Sequence, residues 1–158
     1  MKKIIAFALS VLMAFSLLAG CGQNSSSSVA ESVKLEGTLE EILAKVYDGV
    51  TDLPMTMEQE LTEENSEYNV GVARSSYTEG LASDAAINAI AFSVCLMRAE
   101  DEEKAKTLAE EVEEKADPRK WICVEAEKTV VRQRGNTILL VMSSTATTDA
   151  IVANFDAL

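Results

Sequence analysis

The 158-residue sequence has no histidine, two prolines, one tryptophan and few aromatics of any kind (5%). Without imidazole there is no Ser-His-Asp triad, no histidine general base and no histidine-ligated zinc. Positive charge is also scarce. Fourteen Lys and Arg stand against 26 Asp and Glu, a formal net charge of −12. Sequence-independent nucleic-acid binding runs on Lys and Arg that neutralise phosphates, so nucleic acid is excluded as a partner class. The sequence also lacks a P-loop, G-x-G-x-x-G, G-x-S-x-G, S-x-x-K, C-x-x-C and EF-hand spacing. No metal, no cofactor and no enzymatic activity are expected. The remaining catalytic alternative is a hydrolase built from carboxylates alone, which needs two acids converging in a cleft.

What is present begins with an address. Lys2 and Lys3 precede an apolar run from Ile4 to Leu18, broken only by Ser10 and Ser16. The run is shorter than the roughly 20 residues of a bilayer-spanning helix, and its flanks fit a secretory signal. It ends in Leu18-Ala19-Gly20-Cys21, which resembles the bacterial lipobox. That resemblance implies a diacylglycerol on the Cys21 thiol and cleavage before it. The chain then divides into a signal peptide (1–20), a lipidated Cys with a flexible Ser-rich linker (21–37) and a single domain (38–158). Two acyl chains suit stable anchoring, since one alone binds a membrane only marginally. Cleavage removes Lys2 and Lys3 and no acid, so the mature chain is more acidic still and is repelled by an anionic membrane surface.

Periodicity predicts an α+β domain, with helices packed on a mainly antiparallel four-stranded sheet in the order α-α-β-β-α-β-β-α. Thr38 and Glu41 form a capping-box pattern ahead of a helix over 39–48. Leu53-Pro54-Met55-Thr56-Met57 reads as a connector, because Pro54 does not fit inside a regular element. Thr62 caps a second helix that stops near Gly71. Strands follow over 75–83 and 90–98, with residues 84–90 open between a helical turn and strand. Asp101 to Ala116 is an amphipathic helix with an acidic outer face, ended by Asp117-Pro118. A hairpin joins 129–133 to 137–143 through Arg134-Gly135-Asn136, and 148–158 is the last helix.

Two features carry candidate chemistry. Cys95 and Cys123, the thiols of the folded domain, each sit among apolar residues, so they are either buried thiols or a disulfide. A bridge closing that loop is worth about 3.5 kcal/mol in the chain-entropy picture. Arg119, Lys120, Lys128, Arg132 and Arg134 cluster in one stretch with Trp121, a positive island in an acidic chain. Arg119, Lys120, Trp121, Arg132 and Arg134 form a candidate surface for an anionic group or a partner's acidic patch. Alternatively, these cations pair with neighbouring acids while Trp121 plugs the core.

The chain resembles a family of small lipoproteins of Gram-positive bacteria known as domain of unknown function 4358. The resemblance covers 38–158 and rests on four motifs. They are the lipobox, Pro54-Met55-Thr56 with Leu61-Thr62-Glu63-Glu64-Asn65, Asp117-Pro118-Arg119-Lys120-Trp121-Ile122-Cys123-Val124, and Gly135-Asn136 leading into Leu140-Val141-Met142-Ser143-Ser144. It implies an envelope-associated α+β domain and carries over no catalytic residue. The expected role is a non-catalytic binding or accessory module at the outer face of the cytoplasmic membrane. It would hold the membrane through Cys21 and take an unknown protein or small-molecule ligand. The alternative is an assembly partner of an envelope complex.

Overall fold

The computed structural model describes residues 34–158; the signal peptide, Cys21 and most of the linker lie outside them. Among the described residues no helix is long and apolar enough to cross a membrane. The domain is α+β and antiparallel throughout. Its helices are α1 (Leu39–Tyr47), α2 (Ser66–Val70), α3 (Glu102–Lys115) and α4 (Thr145–Ala157). Its strands are β1 (Thr56–Glu60), β2 (Glu79–Ala85), β3 (Ser93–Arg98), β4 (Lys128–Arg134) and β5 (Thr137–Ser143). They lie side by side in the order β1-β2-β3-β5-β4.

The sheet therefore has five strands, not four, and the additional one is β1. Pro54 does end a segment, but the chain becomes extended two residues later. β1 escapes periodicity because it is an edge strand: four of its five residues are exposed, so no apolar alternation marks it.

Helices cover both faces. α1 and α4 bury Leu39, Ile42, Val46, Ile151 and Phe155 against Phe92, Val94, Leu96, Leu139 and Val141. α3 buries Ala105, Leu108 and Val112 on the opposite face, with Cys95, Met97, Ile138, Leu140, Met142 and Trp121. Alternate residues of β3 and β5 serve opposite layers, so both strands are apolar throughout; all seven residues of β5 are buried.

The α1 capping box forms: Thr38 Oγ1 accepts from the Glu41 amide at 3.2 Å, and Glu41 Oε2 accepts from the Thr38 amide at 3.1 Å. Other boundaries move for local reasons. The second helix starts after Asn65, not at Thr62, because the Asn65 side chain accepts from the Thr62 amide at 2.7 Å and holds a turn first. Residues 74–76 form a 3-10 turn, pinned by Arg74 donating to the carbonyls of Tyr77 and Thr78, so β2 begins at Glu79. Residues 86–92 form a loop, so β3 begins at Ser93. α4 starts earlier than expected because Ser144 Oγ caps it by accepting from the Thr147 amide.

Gly135 and Gly71 are required by geometry. Gly135 turns the β4–β5 hairpin at φ +54°. Gly71 ends α2 at φ +76°, and a Cβ there would lie 2.5 Å from the Lys115 carbonyl carbon at the end of α3. Among the described residues both cysteines are free: Cys95 is buried within β3, whereas Cys123 is exposed, against the expectation that both share an apolar setting.

Candidate functional site

The loop from Ala116 to Glu127 joins α3 to β4 and places Lys120 and Trp121 over one face of the sheet. Trp121 is buried and belongs to the α3-side core. The Lys120 side chain is only 2% exposed. Its ammonium donates to Asn69 Oδ1 at 2.8 Å, Asp84 Oδ1 at 2.9 Å and Ser93 Oγ at 3.0 Å. Those contacts use all three donors of an ammonium. The charge also lies 5.2 Å from the Tyr68 ring centroid and 5.4 Å from that of Trp121. Tyr68 Oη completes the cage by donating to the Lys120 carbonyl at 3.1 Å.

This arrangement is a fastener. Asp84 is the penultimate residue of β2, Ser93 starts β3 and Asn69 lies on α2, so one cation ties a loop and a short helix to two strands. Burying an ion pair is favourable only when its hydrogen bonds are complete, as they are here. With no donor left over, the ammonium has nothing to offer an incoming anion.

The remaining members of the basic stretch are not brought together. Arg119 is exposed and pairs with Glu125 at 3.5 Å. Arg132 and Arg134 share one face of β4, as their spacing requires, but that face is the α4 side of the sheet. Arg134 donates to the carbonyls of Phe155 and Asp156 at the end of α4, and Arg132 pairs with the Asp156 carboxylate at 3.8 Å. Cations there satisfy open carbonyls and complement the helix dipole. The sheet thus separates Lys120 and Trp121 from Arg132 and Arg134.

Around the Lys120 cage lies a feature that sequence reasoning missed. The exposed large apolar side chains of the described residues are Met55, Met57, Tyr68, Ile87, Ile90 and Ile122. All six fall at one end of the sheet. Met57 pairs with Asp84, so both side chains share the cage face. The Ala86 amide donates to the Met55 carbonyl at 2.8 Å, which sets Met55 beside the loop carrying Ile87 and Ile90. Tyr68 stacks on Lys120, and Ile122 follows two residues on. Ile122 is 93% exposed and Met55 83%. The residues come from four separate segments, which is why no linear motif announces them. The local signals were an isoleucine beside the buried Trp121 and a methionine beside Pro54.

The opposite end of the sheet holds a polar cavity of about 400 Å³ flanked by Arg74, Arg98, Glu40 and Glu60. Its arginines are engaged: Arg98 binds Glu79 and the Gly37 carbonyl, and Arg74 binds two carbonyls. Among the described residues no group of three or more Cys, Asp and Glu is placed to hold a metal ion.

No protein-family model matches the chain, and no matching curated protein and no matching solved structure were found.

Proposed function

We propose that this protein is a lipid-anchored extracytoplasmic lipoprotein, held by diacylglycerol on Cys21 at the outer face of the cytoplasmic membrane, and a non-catalytic binding module. The lipobox and the Ser-rich segment after it support the anchor. The observation that carries the binding reading is the gathering of six exposed apolar side chains at one end of the sheet. Soluble domains scatter such residues singly, and a gathered set marks an interaction surface. The partner on this reading is a protein of the envelope. Arg119 stands at the rim, where charge affects association rate and salt dependence more than affinity.

The test is retention of envelope partners by the full chain, compared with Met55→Asp combined with Ile122→Asp. Both residues are exposed, so the variant keeps its melting temperature. Loss of a recurrent partner supports the reading, and unchanged recovery refutes it.

The polar cavity favours a second reading, a small ligand, because its volume lies within the usual range for such sites. A ligand at 100 times its Kd raises stability by about 2.7 kcal/mol. A melting screen over phosphates, sugars, amino acids, nucleotides and cell-wall fragments decides it.

A further inference from the structure

We infer that β1 receives an extended, basic polypeptide segment as a sixth strand of the sheet. The inference rests on the docking reading above and names how the partner binds. β1 is paired on one side only, with β2. The Leu61 amide donates to the Gly80 carbonyl at 2.9 Å and the Ala86 amide to the Met55 carbonyl at 2.8 Å. Antiparallel bonding alternates, so Met55, Met57, Gln59 and Leu61 turn their backbone groups to β2, and Thr56, Glu58 and Glu60 turn theirs outward. Among the described residues the amides of Thr56, Glu58 and Glu60 and the carbonyls of Thr56 and Glu58 meet no protein partner. The Glu60 carbonyl accepts from Asn65 Nδ2 at 3.0 Å, which closes the ladder at that end.

Side chains on this edge specify the occupant. Glu58 and Glu60 lie on one face; Met57 and Gln59 lie on the other, where Met57 joins the apolar end. Exposed Glu63 and Glu64 extend the negative charge beyond the strand. A strand laid alongside satisfies this edge with Lys or Arg opposite Glu58 and Glu60 and an apolar residue opposite Met57. The glutamates also guard the edge against indiscriminate pairing. A second copy fits less well. Pairing β1 with itself about Glu58 sets Glu58 against Glu58. The other edge, β4, is basic, but Lys128, Arg132 and Arg134 are already bound to Asp149, Asp156 and the end of α4.

The test uses the full chain in neutral detergent micelles and a capped seven-residue peptide alternating Lys and Val. Hydrogen exchange is followed at Thr56, Glu58 and Glu60. The peptide is expected to slow exchange at these amides, and an otherwise identical peptide with Glu for Lys is expected to leave them unchanged. Glu58→Pro removes an outward amide without touching the β2 ladder, a place where an edge strand tolerates proline. It should weaken the peptide about tenfold or more. As an independent variant, Glu58→Lys with Glu60→Lys should exchange the preference to the Glu–Val peptide.

Absence of protection at β1 overturns the inference, as does binding indifferent to both variants. Protection that grows with protein concentration without peptide also overturns it, by making the occupant a second copy. If the peptide perturbs Ile87 and Ile122 while the β1 amides exchange freely, strand addition fails and the docking reading stands. If the apolar-end variants keep every envelope partner, that reading fails by itself.

Discussion

Lys120 and Asp84 stand 36 positions apart in the chain and 2.9 Å apart in space. Their contact fixes the loop that carries Trp121 and Ile122 to the end of the sheet that carries Met57. Truncating one partner leaves the other desolvated, which costs about 3–5 kcal/mol for a buried pair. Asp84 keeps 19% exposure, so water relieves part of that loss and Lys120→Ala belongs at the low end. The double variant with Asp84→Ala should lose less than the sum of the two single losses. Urea midpoints of the four proteins measure this directly, and strict additivity would show that the pair is not coupled.

The thiols make a second case. A neutral maleimide should label exposed Cys123 in the folded chain and reach buried Cys95 only on unfolding. Labelling of neither without reductant would indicate a disulfide instead.

Alkaline pH should weaken the fold. Burial pushes the Cys95 thiol from its ordinary 9.0 up to about 11, with nearby Lys120 opposing the rise. Burial likewise raises the Tyr47 and Tyr77 phenols. The folded chain keeps these protons at a pH where the unfolded chain releases them. The stabilisation is therefore complete below pH 9 and is lost as pH climbs through the thiol's window of 9 to 11. The loss there approaches about 1.4 kcal/mol per pH unit for one group. Unfolding free energy measured from pH 7 to 11 should be flat and then fall, and Cys95→Ala should shallow the fall while lowering the baseline. A rise over that window contradicts the assignment.

Arg132 and Arg134 are predicted to act on α4 and not on a ligand. Arg134→Ala should fray the end of that helix and cost about 1 kcal/mol. Arg132→Glu with Arg134→Glu should cost more, by setting two carboxylates against open carbonyls and Asp156. Hydrogen exchange should speed up near Phe155, while partner recovery stays intact. Loss of the partner with α4 undisturbed would return these residues to a binding role.

The elements with internal signals were legible. Thr38 and Glu41 announced α1, the Ala105-Leu108-Val112 stripe announced α3, and Gly135-Asn136 announced the hairpin. β1 was not legible, because an edge strand covered on neither face has no reason to alternate. The basic stretch was legible as composition only. Residues 119–134 cross from the α3 side of the sheet to the strand beneath α4, so proximity in sequence did not become one surface. The apolar end depends on four segments meeting, and Met55, Tyr68, Ile87 and Ile122 give no sign separately that they converge.

The most direct test of the account is site-specific photo-cross-linking in intact cells. A photoreactive side chain is placed in turn at Ile122 and Ile87, and at Glu110 on the exposed face of α3. The account predicts one recurrent protein adduct from Ile122 and Ile87 and none from Glu110. Equal adducts from all three positions, or adducts from Glu110 alone, would contradict it.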